Sequence, residues 1–268
     1  MTVPLQRITG YLDRYLRIAE VQDDAGAVNG LQVENSGEVG WIIAAVDASQ
    51  ATIDGAVAAH AGRGPADRRP DAAVTGPPLI LVHHGLFWDG THPLTGRRYR
   101  RLKALLDADI ALYSAHIPLD LHPEVGNNAL LAAELGLDEL EPFDNYKGEM
   151  LGVMGRLELP RDDLVLRLNG LLRTRARLLP GGPERTRRVG IITGGAGSRI
   201  RAAAAAGCDT FITGEGAHHT YFDAMEYGVN VIYAGHYATE RVGVRALAEH
   251  VAERFGVPWV WHEHETGL

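Results

Sequence analysis

The chain has 268 residues, 46% of them hydrophobic, with a formal net charge of -8; that is enough apolar material for one large or two modest packed domains. No Lys/Arg block stands out, so composition argues against a nucleic-acid surface, and no stretch approaches the roughly 20 apolar residues of a membrane helix. The single cysteine, Cys208, excludes an intramolecular disulfide and a cysteine-rich zinc module.

Cys208 is expected to fill core space. The segment Met1 to Leu16 carries Arg7, Asp13 and Arg14 and lacks the continuous apolar run of a secretory signal, so a cytoplasmic location is expected.

In chain order, Leu5, Ile8, Leu12, Leu16 and Ala19 recur at helical spacing and predict an opening amphipathic helix. Val39 to Val46 reads as a buried strand, Ala51 to Ala61 as a helix, and Gly62 to Pro78 as a surface loop rich in Pro, Arg, Asp and Gly. A strand over Leu79 to Val82 ends at His83-His84. Tyr99 to Asp109 is helix-like, Ile110 to Tyr113 strand-like, Asn127 to Leu137 helix-like, and Leu151 to Leu159 a strand closed by Pro160. Helices follow at Asp162 to Arg173, Ser198 to Ala206, Ala217 to Tyr227 and Ala238 to Phe255. They alternate with strands at Val189 to Ile192, Thr210 to Thr213, Val229 to Tyr233 and near Trp259, after a loop-rich stretch at Leu179 to Arg188.

This βαβ alternation predicts an α/β fold with two α/β lobes and largely parallel sheets. The lobes are expected to be interleaved within one module, roughly 1–125 with 230–268, and 126–229.

Ligand-type residues sit just after the apolar runs: His83-His84, His116 with Asp120, Glu215, and His236 with Glu240. In open α/β sheets, ligands bind beyond the carboxyl ends of the strands, so these residues are expected to build one composite site. Where the strand breaks into Gly85, the two adjacent rings can both turn toward it. His236 and Glu240 are four apart at a helix start and share a face. Asp120 leaves a strand through a loop stiffened by Pro118. Three histidines and two carboxylates give mixed N/O ligation, which suits Zn, Mn, Fe or Ni better than Ca or Mg. The run Thr193 to Ser198 is read as a tight strand-to-helix turn, short of a dinucleotide fingerprint and without a P-loop lysine.

Five motifs in order resemble a known family: Asn29-Gly-Leu-Gln32, Val82-His-His-Gly-Leu-Phe-Trp88, Tyr113-Ser-Ala-His-Ile-Pro-Leu-Asp120, Thr213-Gly-Glu215 followed by His218-His219, and Ala234-Gly-His-Tyr-Ala-Thr-Glu240. They are similar to the dinuclear-metal hexameric family of Nif-three-like proteins, or GTP cyclohydrolase I type 2 homologues. The resemblance implies two divalent transition-metal ions per subunit, held by His83, His84, Asp120, His236 and Glu240 in the cleft between the lobes. It places His116, Glu215, His218 and His219 around them, with Glu215, His116 and His219 as candidate catalytic groups and Asn29 and Gln32 lining the cleft. Ile117 stands where relatives commonly have threonine. A toroidal homohexamer is implied as well.

The function implied is a metal-dependent hydrolase of the GTP cyclohydrolase I type 2 kind acting on a small molecule, possibly a nucleotide. A phosphoester or nucleotide hydrolase is the alternative within the enzyme class. A metal-stabilised ring that binds a partner without turnover is the alternative outside it.

Overall fold

The computed structural model describes residues 2–62 and 75–268. Residues 63–74, the bulk of the loop expected over Gly62 to Pro78, lie outside the described residues. The chain divides into two units, one formed by Met1–Leu119 with Val244–His264 and the other by Asp120–Gly243 with Glu265–Leu268. The class is mixed α/β, as expected.

The first unit opens with strand β1 (Val3–Pro4) and helix α1 (Leu5–Tyr15), on which Leu5, Ile8 and Leu12 are buried. Its sheet has the order β13-β4-β5-β6-β2, built from β2 (Gly30–Val33), β4 (Trp41–Asp47), β5 (Pro78–His84), β6 (Ala111–Ser114) and β13 (Trp259–Trp261). The β13-β4, β4-β5 and β5-β6 pairs are parallel, and β2 closes the edge antiparallel to β6. A short β3 (Glu38–Val39) pairs only with β1. Successive strand residues face opposite sides. Trp41, Ile43 and Ala45 accordingly pack in one cluster with Ile53, Ala56 and Ala59 of helix α2 (Gln50–His60) and Leu105 of helix α3 (Gly96–Asp107). Ile42, Ala44 and Val46 are buried too, so β4 is covered on both faces, which is why it reads as one unbroken apolar run.

The second unit starts at the end of the one-turn helix α4 (Ile117–Asp120) and continues with α5 (Asn127–Glu134), β7 (Asp138–Tyr146), β8 (Glu149–Arg156), α6 (Arg161–Leu172) and β9 (Arg177–Pro180). Then come β10 (Arg188–Ile191), a 3-10 turn at Gly197–Arg199, α7 (Ile200–Ala205), β11 (Thr210–Thr213), α8 (Thr220–Tyr227), β12 (Asn230–Tyr233) and α9 (His236–Phe255). The boundary between the units falls within α9, after Gly243. Leu164, Leu168 and Leu172 recur every four residues, so they share a face of α6. That face packs with Leu131 of α5 and Leu135 just after it against Val189, Ile191, Ile212 and Ile232 of the sheet.

This sheet, ordered β7-β8-β10-β11-β12-β9, is less parallel than expected. Only β10-β11 and β11-β12 run parallel; β7-β8, β8-β10 and β12-β9 are antiparallel. The β7-β8 hairpin turns through Lys147 and Gly148, both at positive φ, the backbone a two-residue hairpin loop requires. Strand β7 escapes a reading based on burial because Asp138 to Pro142 are exposed along it. Strand β9 occupies the start of the stretch read as loop.

Candidate metal centre

In the first unit, β5 delivers His83 and His84 as its last two residues, so the strand persists through both and breaks only at Gly85. His83 is fully buried and His84 partly so. Their ring centroids nevertheless lie 4.8 Å apart, and His116, one residue before α4, stands 5.0 Å from His83 and 5.6 Å from His84. The three imidazoles can place ligand nitrogens within 4.8 Å of one another.

Each ring is held through Nδ1. His83 Nδ1 meets the Ala115 carbonyl at 2.8 Å, His84 Nδ1 meets Asp47 Oδ1 at 2.8 Å, and His116 Nδ1 meets Asp23 Oδ1 at 2.9 Å. All three partners are acceptors, so they assign the proton to Nδ1 and make Nε2 the lone-pair nitrogen. Metal-binding histidines are oriented by this same device, a carbonyl or carboxylate behind the ring.

Asp23 also accepts from the Ile117 amide at 2.9 Å and from Asn29 Nδ2 at 2.8 Å. Burial alone would raise its pKa, but the hydrogen bond and charge of His116, with the bond from Asn29, bring it down to about 2. Asn29 Oδ1 in turn accepts the His116 amide at 2.7 Å. Gln32 donates to the carbonyls of Ala27 (3.0 Å) and Val28 (2.9 Å) and accepts the Leu86 amide at 2.8 Å. A Cβ on Gly85 would meet the Gln32 amide at 2.2 Å, so glycine there is a steric requirement of the strand's exit. Asn29 and Gln32, expected to line a cleft, therefore act as backbone clamps that fix the loops carrying the histidines.

In the second unit, His236 and Glu240 occupy the first turn of α9. Glu240 is buried, and its Oε2 lies 3.1 Å from His236 Nε2. His236 Nδ1 is 2.7 Å from Glu215 Oε1. Burial disfavours the imidazolium, yet the hydrogen bond and charge of Glu240, then those of Glu215, outweigh it and raise the His236 pKa to about 9. The two carboxylates thus form a place for positive charge. A Cβ on Gly194 would come within 2.0 Å of Glu240 Oε1; the glycine, at φ +69, lets the carboxylate lie against the backbone. The expected tight turn is present, and the Gly194 carbonyl accepts the amides of Gly214 and Glu215.

Asp120 is buried at the end of α4, where a loop was expected, and accepts from Asn127 Nδ2 at 2.8 Å and Thr193 Oγ1 at 3.4 Å. His218 packs on Phe222, and His219 is the exposed residue preceding α8. Among the described residues no hydrogen bond or ring contact joins His219 to His236 or Glu215.

Asp23, Asp47, Asn127 and Thr193 escaped the sequence reading. Asp47 carried a usable signal, since it too follows an apolar strand run. Asp23 lies in a polar loop without any pattern.

The histidine and glutamate groups can bind metal, and the donor set of imidazole nitrogens and carboxylate oxygens fits divalent transition ions. Fold and site define an α/β protein with mixed sheets and histidine and glutamate groups of a kind that could hold a metal ion. The sequence profile of Duf34/NIF3 (NGG1p interacting factor 3) matches residues 70–266. A GTP cyclohydrolase 1 type 2 homolog of Deinococcus radiodurans is 42% identical over 260 residues, 96% of this chain and 92% of the relative. One of Pseudomonas aeruginosa is 40% identical over 260 residues, 96% of each chain. Among solved structures, protein ybgI has a TM-score of 0.84 at 36% identity, covering 99% of this chain and 100% of that one. TTHA1606 from Thermus thermophilus has a TM-score of 0.81 at 38% identity with the same coverage. The chain belongs to the Duf34/NIF3 family.

Proposed function

We propose that the protein is a metal-dependent hydrolase of the GTP cyclohydrolase I type 2 kind acting on a nucleotide-class small molecule. The observation that carries this reading is the set of three imidazoles, each pinned through Nδ1 by an acceptor. The relatives' shared name supports the choice of reaction. His83, His84, Asp120, His236 and Glu240 are the residues that would hold two divalent ions. Such ions supply Lewis acidity, polarising a substrate oxygen and acidifying water. His116 adds a third imidazole beside His83 and His84. Glu215, about half exposed and bonded to His236 Nδ1, is placed to exchange a proton with solvent. The reading includes a cytoplasmic homohexamer. No described helix is long and apolar enough to cross a membrane.

Elemental analysis of the gently purified protein is expected to find about two transition-metal ions per chain, and Glu240→Ala to lose metal together with turnover on nucleotides. Light scattering should report six times the chain mass. A wild-type protein that carries no metal and refuses added Mn and Zn overturns the reading. Full metal loading with no turnover across nucleotides and phosphoesters favours the partner-binding ring instead.

A further inference from the structure

The first unit contains a cleft of about 220 Å³ whose lining includes His84, Asp47, Trp88, Asp89, Arg97 and Arg101. Both of its carboxylates are engaged. Asp47 accepts from His84 Nδ1. Asp89 is held by Arg98 and Arg97, whose hydrogen bonds lower its pKa to about 2. Arg101 differs. Its Nη1 donates to the Ala48 carbonyl at 3.2 Å, its Nε is buried with no hydrogen-bond partner, and no carboxylate pairs with it among the described residues. Burial, then the neighbouring guanidinium of Arg97, disfavours its charge, and the Asp89 carboxylate offsets this only in part. A partly desolvated cation with an unused donor, facing a second cation, is an arrangement that an incoming oxyanion relieves.

The cleft also adjoins the histidine cluster. The Trp88 indole stands edge-on to His84 at 5.6 Å and to His116 at 4.6 Å, and is 38% exposed. It lines the cleft and offers an exposed aromatic surface against which a planar group can pack.

We propose that Arg101, with Arg97 beside it, binds a phosphate group of the substrate and so holds the remainder of that molecule against Trp88 and His84. This deepens the hydrolase reading and rests on it for the word substrate; the anion site itself does not. The guanidinium fork matches carboxylate and phosphate oxygens alike, and it is the second guanidinium in the cleft that favours a doubly charged phosphate over a singly charged carboxylate. Arg101 is the specificity-determining residue here, and Arg97 adds charge from a 67% exposed side chain that Asp89 already engages.

The test is calorimetric titration of the full chain, as purified, with inorganic phosphate. Saturable binding is expected that weakens at least about tenfold in Arg101→Met and about threefold in Arg101→Lys, which keeps the charge but loses the fork. Arg201→Met, at an exposed position in the other unit, should bind as wild type does. Quenching of Trp88 fluorescence, identified by its loss in Trp88→Phe, should follow the same isotherm. Should Arg101→Met fail to fold by circular dichroism, Arg101→Lys decides alone. Wild-type affinity in the variants, or no saturable phosphate binding by wild type, overturns the proposal. Metal content measured on the same samples separates the two readings: Arg101-dependent binding in a protein that holds no metal and refuses added Mn and Zn keeps the anion site and sinks the hydrolase.

Discussion

Replacing Asp23 with asparagine tests whether a carboxylate fixes the protonation of His116. Oδ2 accepts from the Ile117 amide and Asn29 Nδ2, while Oδ1 accepts from His116 Nδ1 and the Asp24 amide. An asparagine keeps its carbonyl where Oδ2 was and turns an NH₂ toward His116. That amide donates, so His116 Nδ1 must accept, and the ring proton moves to Nε2. The side chain is only 6% exposed, so solvent screens little of the loss. A charge-assisted bond is worth about 1.5–3 kcal/mol and its neutral replacement about 1 kcal/mol, leaving a net cost of about 0.5–2 kcal/mol before the Asp24 amide, which loses its acceptor, is counted. Asp23→Ala strands all the donors and should cost about 2–4 kcal/mol. Urea unfolding followed by circular dichroism reads the two costs, and long-range nitrogen NMR of the imidazole reads the tautomer directly. Because the asparagine variant converts Nε2 from an acceptor to a donor, His116, a candidate catalytic group beside the proposed ligands, loses its lone pair and turnover should fall about 10–100-fold. An unfolding curve that overlays wild type, with the proton still on Nδ1, would refute the reasoning.

Two further tests concern packing. Gly85→Ala drives a methyl into the Gln32 amide and should cost about 1–3 kcal/mol; in a Gln32→Ala background most of that penalty should vanish, which a double-mutant cycle in urea measures. Cys208 is 4% exposed, and burial pushes its thiol up to about 12, so iodoacetamide at pH 8 should label it only at the rate of unfolding; rapid labelling of native protein would contradict its place in the core.

Much of the fold is readable in the chain because buried parallel strands are continuous apolar runs. Thr210–Thr213 emerges with the bounds expected of it. The strands that were missed, β1, β2, β7 and β9, all lie at sheet edges, where half-exposure weakens the hydrophobic signal; β7 is rich in acidic residues and β9 opens on Arg177. For the site, residues at strand ends are legible as positions but their partners are not. His116 reads as a peripheral group, and only the folded chain brings it beside His83. Asn29 and Gln32 read as cleft residues because a polar side chain in a motif looks the same whether it faces a ligand or ties down a loop. Their hydrogen bonds to backbone groups show the second of these roles.

The first unit is discontinuous in the chain, which matters while the protein is being synthesised. Trp259 pairs with Ile42, so about 200 residues separate partners that must meet, a long loop to close and a slow kind of contact to make. The sheet core of β4, β5 and β6 leaves the ribosome early with the β4 edge still unpaired. The second unit, contiguous from Asp120 to Gly243 apart from its last segment Glu265–Leu268, has almost wholly emerged before that edge is covered. A nascent chain therefore carries an open parallel strand edge while the later unit folds, and premature termination before Trp259 leaves that edge available to other chains. Truncated products should accordingly aggregate through the Trp41–Asp47 strand while full-length chains do not.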